Sequence, residues 1–188
     1  MSNHTIKFIL VASLAFATAN VHAADSEAAP GFWTTPTIQG FGKIHDLPKA
    51  AYRPEAGKSY EIVFSLTKAG KGASDVNPGL DHVARAVNLY VASGVPVSKL
   101  KFVAIAYGEA TPLALDDAHY REKFGVPNPN LPLIALLRKA GVDVAVCGQA
   151  VAEHQFDYSW VDRSVTVALS GLTTVTTLEQ SGYALMPL

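Results

Sequence analysis

The sequence holds one cysteine, Cys147, in 188 residues. One thiol cannot pair within its own chain, so a disulfide framework is excluded and burial must hold the fold. Charge is also sparse: 16% of residues are charged, with 15 Lys plus Arg against 16 Asp plus Glu and a formal net charge of -1. That balance argues against a nucleic-acid partner, which needs a cationic face to displace counterions. No apolar run reaches the ~20 residues that cross a bilayer as a helix. Gly-x-Ser-x-Gly is absent, which speaks against an α/β-hydrolase, and so is the His-x-x-x-His spacing of a metal site. Gly (14) and Pro (11) are too ordinary for a collagen-like or low-complexity chain. What is present is a hydrophobic fraction of 49%, the composition of a chain that folds as one domain.

The first residues read as a leader. Lys7 is the only Lys or Arg before Lys43, and behind it Phe8 to Ala19 is an apolar stretch. Val21-His22-Ala23 then supplies the small-x-small pattern of a cleavage site, with Asp25 and Glu27 beyond it. This is the layout of a secretory signal peptide over residues 1–23, cut after about Ala23, and it implies a periplasmic or secreted protein with no membrane segment after cleavage. Residues 24–58 carry Pro30, Pro36, Pro48 and Pro54, which interrupt any helix, together with Phe32, Trp33, Ile38, Phe41 and Ile44. They read as an extended arm that either covers its own domain or crosses to a neighbouring subunit.

Residues 59–188 alternate strand and helix signals. Tyr60 to Leu66 is rich in β-branched and aromatic residues and predicts a strand. Leu80, Val83, Ala84, Val87 and Val91 recur at helical spacing, with Asn77 as N-cap and Gly94 as stop. Lys101 to Tyr107, Val142 to Val146, Val165 to Leu169 and Tyr183 to Met186 predict further strands. Helices are predicted over 116–124, from an Asn130 cap to Gly141, over 149–154 and over 172–180. The alternation predicts a single three-layer α/β domain with a mostly parallel sheet of about five strands.

In such sheets ligands bind beyond the carboxyl ends of the strands. Those ends carry Lys68, Tyr107, Glu109, Cys147, Gly148 and Gln149. Cys147 is the candidate catalytic residue, because a thiol at the start of a helix meets partial positive charge that favours the nucleophilic thiolate. Lys68 would add to that effect and Glu109 oppose it. The alternative is a small buried hydrophobe, since free cysteine is among the most buried residue types. Gly70-Lys71-Gly72 lacks the remaining positions of a phosphate loop and reads only as a flexible, anion-friendly loop. His82, His119 and His154 each have a carboxylate nearby in sequence and read as surface or helix-face residues, and Trp160 as a packing residue. No metal and no cofactor are expected.

Three blocks carry a resemblance: Val146-Cys147-Gly148-Gln149 after Leu136 to Val142, the run from Leu172 to Tyr183-Ala184-Leu185, and Asn128-Pro129-Asn130-Leu131. Together they resemble the DsrE/DsrF-like family of sulfur-relay and sulfur-oxidation proteins, over about residues 59–188, and look closest to exported members with an N-terminal extension. The resemblance implies a five-stranded α/β fold and homo-oligomers, often trimers or hexamers. It implies a persulfide-bearing cysteine at Cys147, fed by a donor and relieved by an acceptor that are either proteins or small sulfur compounds. The relay members are cytoplasmic, and the leader sets this chain apart from them. The expected function is a periplasmic sulfur carrier or sulfur-compound binder, at most sulfurtransferase-like. The alternative is a non-catalytic oligomeric module for a small ligand or protein, with Cys147 structural.

Overall fold

A computed structural model describes Met1 and residues 31–188. The leader and its cleavage site lie outside the described residues. Five strands form one sheet: β1 (Tyr60–Leu66), β2 (Leu100–Ala106), β3 (Asp143–Cys147), β4 (Thr166–Ala168) and β5 (Ala184–Pro187). Their order is β4-β3-β2-β1-β5, and every neighbouring pair is parallel. The chain builds outward from β1 to β4, then crosses back to lay β5 on the other side of β1. The helices are α1 (Pro78–Ala92), α2 (Asp117–Phe124), α3 (Leu131–Lys139), α4 (Gly148–Glu153) and α5 (Gly171–Gln180). Three short 3-10 segments, Val97–Lys99, Gly108–Ala114 and Tyr158–Trp160, were not evident from apolar periodicity.

Strand alternation divides the core in two. Phe64, Leu66, Phe102, Ala104, Val144 and Val146 point to one face and pack against Leu80, Val83 and Val87 of α1 and Leu133 and Leu137 of α3. Each such buried side chain contributes about 1.5–3 kcal/mol. Val63, Ile105 and Ala145 point to the opposite face, where Val175 and Leu178 of α5 meet them. A parallel sheet leaves no face to solvent by habit, which is why these strands read as continuous apolar runs. The second face is the thinner one: beside α5, Val103, Ala145, Ala168, Thr173 and Leu178 line an open cleft of about 720 Å³.

The arm lies along its own domain, on α1. Ile38 and Ile44 are buried, and Thr34 and Ile44 exchange backbone hydrogen bonds of 2.9 Å each way. The fully buried Asn88 on α1 ties the arm down: its Oδ1 accepts from the N–H groups of Thr37 (3.0 Å) and Ile38 (2.8 Å), and its Nδ2 donates to the carbonyls of Phe41 (3.0 Å) and Gly42 (2.9 Å). The Gly42 N–H donates to Asp81 Oδ1 at 2.7 Å. Gly42 sits at φ 59 against the backbone of α1, where a Cβ would lie 2.2 Å from the Arg85 nitrogen. Only glycine fits there.

The predicted helix caps hold with one change. Asn77 Oδ1 accepts from the Leu80 N–H at 3.2 Å. Asn130 stands at the N-cap of α3, but its side chain makes no capping bond there. It accepts instead from the Asn77 N–H at 2.8 Å, and its Nδ2 donates to Asn128 Oδ1 at 3.0 Å. Asn128 in turn donates to the carbonyls of Leu113 and Leu115. The local capping bond has given way to a buried chain that joins the loops after β1 and β2.

Candidate functional site

Cys147 ends β3 and is 5% exposed. It also serves as the N-cap of α4, where its Sγ accepts from the Ala150 N–H at 3.3 Å. The sequence expectation that the thiol stands at the start of a helix is met in that bond. A short side chain with one acceptor atom suits the N-cap position. Across the sheet, Cys147 is paired in register with Ala168 on β4.

Gly148 follows, buried, as the first residue of α4. A Cβ on it would lie 2.9 Å from the Ala168 carbonyl oxygen, so the turn requires glycine for close approach to β4. The Gly148 carbonyl accepts from the Tyr158 hydroxyl at 3.1 Å. Gln149 is exposed, and its Nε2 donates to the Leu169 carbonyl at 3.4 Å. These bonds fasten the β3–α4 turn to the segments on either side of it.

Tyr107 follows Ala106, the partner of Val146, and so stands beside Cys147 at the end of the sheet. Its hydroxyl meets the Ser65 hydroxyl at 2.5 Å, and its ring packs beneath Gly171. Tyr107 therefore braces the start of α5 next to the thiol.

Lys68 and Glu109 are not brought to Cys147. Lys68 follows β1, two strands from β3, which is about 10 Å across a sheet. It lines a cleft of about 460 Å³ with Leu66, Gly79 and His82. Glu109 lines another, of about 550 Å³, with Gly70, Gly72, Asp75, Asn77 and Tyr120. The residues predicted from the strand ends thus separate into three places. Strand order is the reason for Lys68, since it was not legible from the sequence; Glu109 follows β2, the neighbour of β3, and is carried into its own cleft by the 3-10 segment Gly108–Ala114. The anion-friendly reading of the Gly70-Lys71-Gly72 loop is corrected as well. The cleft beside that loop carries the carboxylates of Asp75 and Glu109 and is lined by no cation, so it would repel an anion.

Sequence reasoning missed a further grouping. His119 on α2 and His154 at the end of α4, placed separately on helix faces by the sequence, line one cleft with Phe156 and Trp160. The only early sign was the carboxylate near each histidine. Among the described residues no group of His, Cys, Asp and Glu side chains is placed to hold a metal ion, and no helix is long and apolar enough to cross a membrane.

Comparison with known proteins agrees with this architecture. The solved structure of MTH1491, a protein of unknown function from Methanobacterium thermoautotrophicum, aligns with a TM-score of 0.52 at 16% identity, covering 69% of this chain and 100% of that one. At that identity the likeness shows the fold. No curated protein matches the chain significantly. The family model of the DsrE/DsrF-like family matches residues 58–188. A parallel five-stranded sheet with helices on both faces and a match over most of the chain lead to one assignment: this protein belongs to the DsrE/DsrF-like family.

Proposed function

We propose that this protein is an exported sulfur carrier that holds sulfane sulfur on Cys147 as a persulfide. The observation that carries the reading is the Sγ of Cys147 fixed at the carboxyl end of β3 by the Ala150 N–H. In the loading step the Cys147 thiolate attacks the outer sulfur of thiosulfate. A new S–S bond forms, the donor S–S bond breaks, and sulfite leaves with the electron pair. In delivery an acceptor thiolate attacks the terminal sulfur, and Cys147 leaves as thiolate. Tyr107, Gly148 and Gln149 position the turn that bears the thiol. The leader over residues 1–23 supports a periplasmic setting.

Intact mass of the exported protein before and after incubation with thiosulfate or polysulfide tests the reading. A gain of one or more sulfur atoms, removed by reductant and absent in Cys147→Ser, is expected. An unchanged mass, with a thiol that reagents reach only after unfolding, would overturn it.

A second reading rests on a different observation. Leu169 and Leu172 are exposed beside the thin face of the sheet, and Cys147 is buried. A homo-oligomer, a trimer or hexamer, would cover these residues and bind a small ligand or protein partner between subunits, with Cys147 as packing. Under that reading Cys147→Ser leaves assembly and ligand binding intact.

A further inference from the structure

The cleft lined by His119 and His154 is built from rings in sequence. The imidazole of His119 stacks on Trp160 with centroids 4.8 Å apart and planes 15° apart. Trp160 meets Phe156 at 6.2 Å, and Phe156 meets His154 at 5.3 Å. Leu115 completes the apolar wall of this open cleft, which has room for one small ring compound.

Both imidazoles are held by one nitrogen, and the other has no hydrogen-bond partner among the described residues. His119 Nδ1 lies 2.8 and 2.9 Å from the two oxygens of Asp116. Asp116 is itself fixed, because its carboxylate accepts from the His119 N–H at 2.8 Å and its own N–H donates to the Trp160 carbonyl at 2.8 Å. In the neutral ring the proton therefore sits on Nδ1, and Nε2 is an acceptor. His154 is held the other way round: Nε2 donates to the Gly108 carbonyl at 2.9 Å, which leaves Nδ1 as the acceptor. Between His154 and Phe156, Gln155 adopts φ 57, an unusual conformation for a side-chain-bearing residue.

The two charged residues that line the cleft, Lys123 and Glu122, are of opposite sign. Lys123 places its ammonium 5.0 Å above the Phe156 ring, and Glu122 lines the same cleft with the opposite charge. Outside that lining, Asp116 is engaged by His119, and the Asp157 carboxylate accepts from the Ser159 N–H. A ligand complementary to this surface is neutral, aromatic and a hydrogen-bond donor.

We propose that this cleft binds an aromatic alcohol of the phenol class, its ring in the space beside Trp160 and its hydroxyl donating to His119 Nε2 or His154 Nδ1. The site is separate from Cys147, which does not line it. Calorimetric titration of the full chain with phenol, anisole and benzoate tests the proposal. Phenol is expected to bind at one saturable site. Anisole, which lacks the donor, should bind at least about tenfold more weakly, since an acceptor left unpaired on binding is costly. His119→Phe and His154→Phe keep a ring in place and remove one acceptor each, and at least one of them should cost phenol about tenfold without affecting anisole. The two histidines lie on different elements, and the melting curve of each variant reports whether it is folded. Equal binding of phenol and anisole would overturn the proposal. So would tighter binding of benzoate, or unchanged phenol affinity in both folded variants.

Discussion

Cys147 and Ala168 are partners on the outermost rung between β3 and β4, and the Ala168 carbonyl lies where a Cβ on the next residue, Gly148, would come within 2.9 Å. The thiol-bearing turn and the edge strand are thus packed backbone to backbone. Gly148→Ala should push β4 outward and destabilise the fold by about 1–3 kcal/mol, the usual cost of overpacking. A denaturant midpoint equal to that of the parent chain would contradict this. Faster alkylation of Cys147 in the same variant is expected, because the obstructing strand is the one displaced.

Asn88 anchors the arm with four hydrogen bonds. Asn88→Ala leaves the Thr37 and Ile38 N–H groups without their acceptor, and should destabilise the protein by about 3 kcal/mol. The arm should become the first segment cut by protease, with residues 59–188 surviving. If the arm and the domain are cleaved together at the parent rate, Asn88 is not the anchor.

Asp116 makes acid stability predictable in sign. Burial works to raise its pKa, but the His119 backbone N–H, the His119 ring and the Ala118 N–H together outweigh it and hold the carboxyl below the usual range. A group depressed in the folded state contributes stability that is present above its unfolded pKa, about 3.9, and lost as pH falls through the lower folded value. Asp116→Asn keeps a good cap residue and removes the charge. It should lower the melting temperature at neutral pH and flatten its decline below about pH 4. A variant whose melting temperature tracks the parent at every pH would show that the carboxylate contributes nothing.

Leu172 and Leu169 are 79% and 72% exposed at the edge of the thin sheet face. If a second copy covers them, Leu172→Asp should reduce the mass seen by light scattering to that of one chain while the far-ultraviolet spectrum stays the same. An oligomer of unchanged mass would place the interface elsewhere, and a monomeric parent chain would remove it.

Much of the fold was legible because local physics fixes it. Tyr60–Leu66 matches the predicted strand residue for residue, since a run of β-branched and aromatic side chains buried on both faces has few alternatives. α1 lies where apolar periodicity and the Asn77 cap place it. The segment Gly108–Ala114 was not legible, because a 3-10 turn with Pro112 inside has no apolar period. Cys147 was found at the correct strand end, and its capping bond follows from that position.

The sequence by itself determined the alternation of strands and helices, the lone thiol and the turn that carries it, all of which depend on residues near one another in the chain. Tertiary structure alone decided which strand ends became neighbours. The order β4-β3-β2-β1-β5 set Lys68 away from Cys147, the 3-10 segment after β2 carried Glu109 into a different cleft, and the Leu115–Val161 bridge helped bring Trp160 to His119. It also turned Asn130 from a helix cap into part of a buried amide chain, and made Asn88 the anchor of the arm. These pairings span tens of residues, and their partners are chosen by burial and hydrogen-bond satisfaction across the whole domain, which no local pattern encodes.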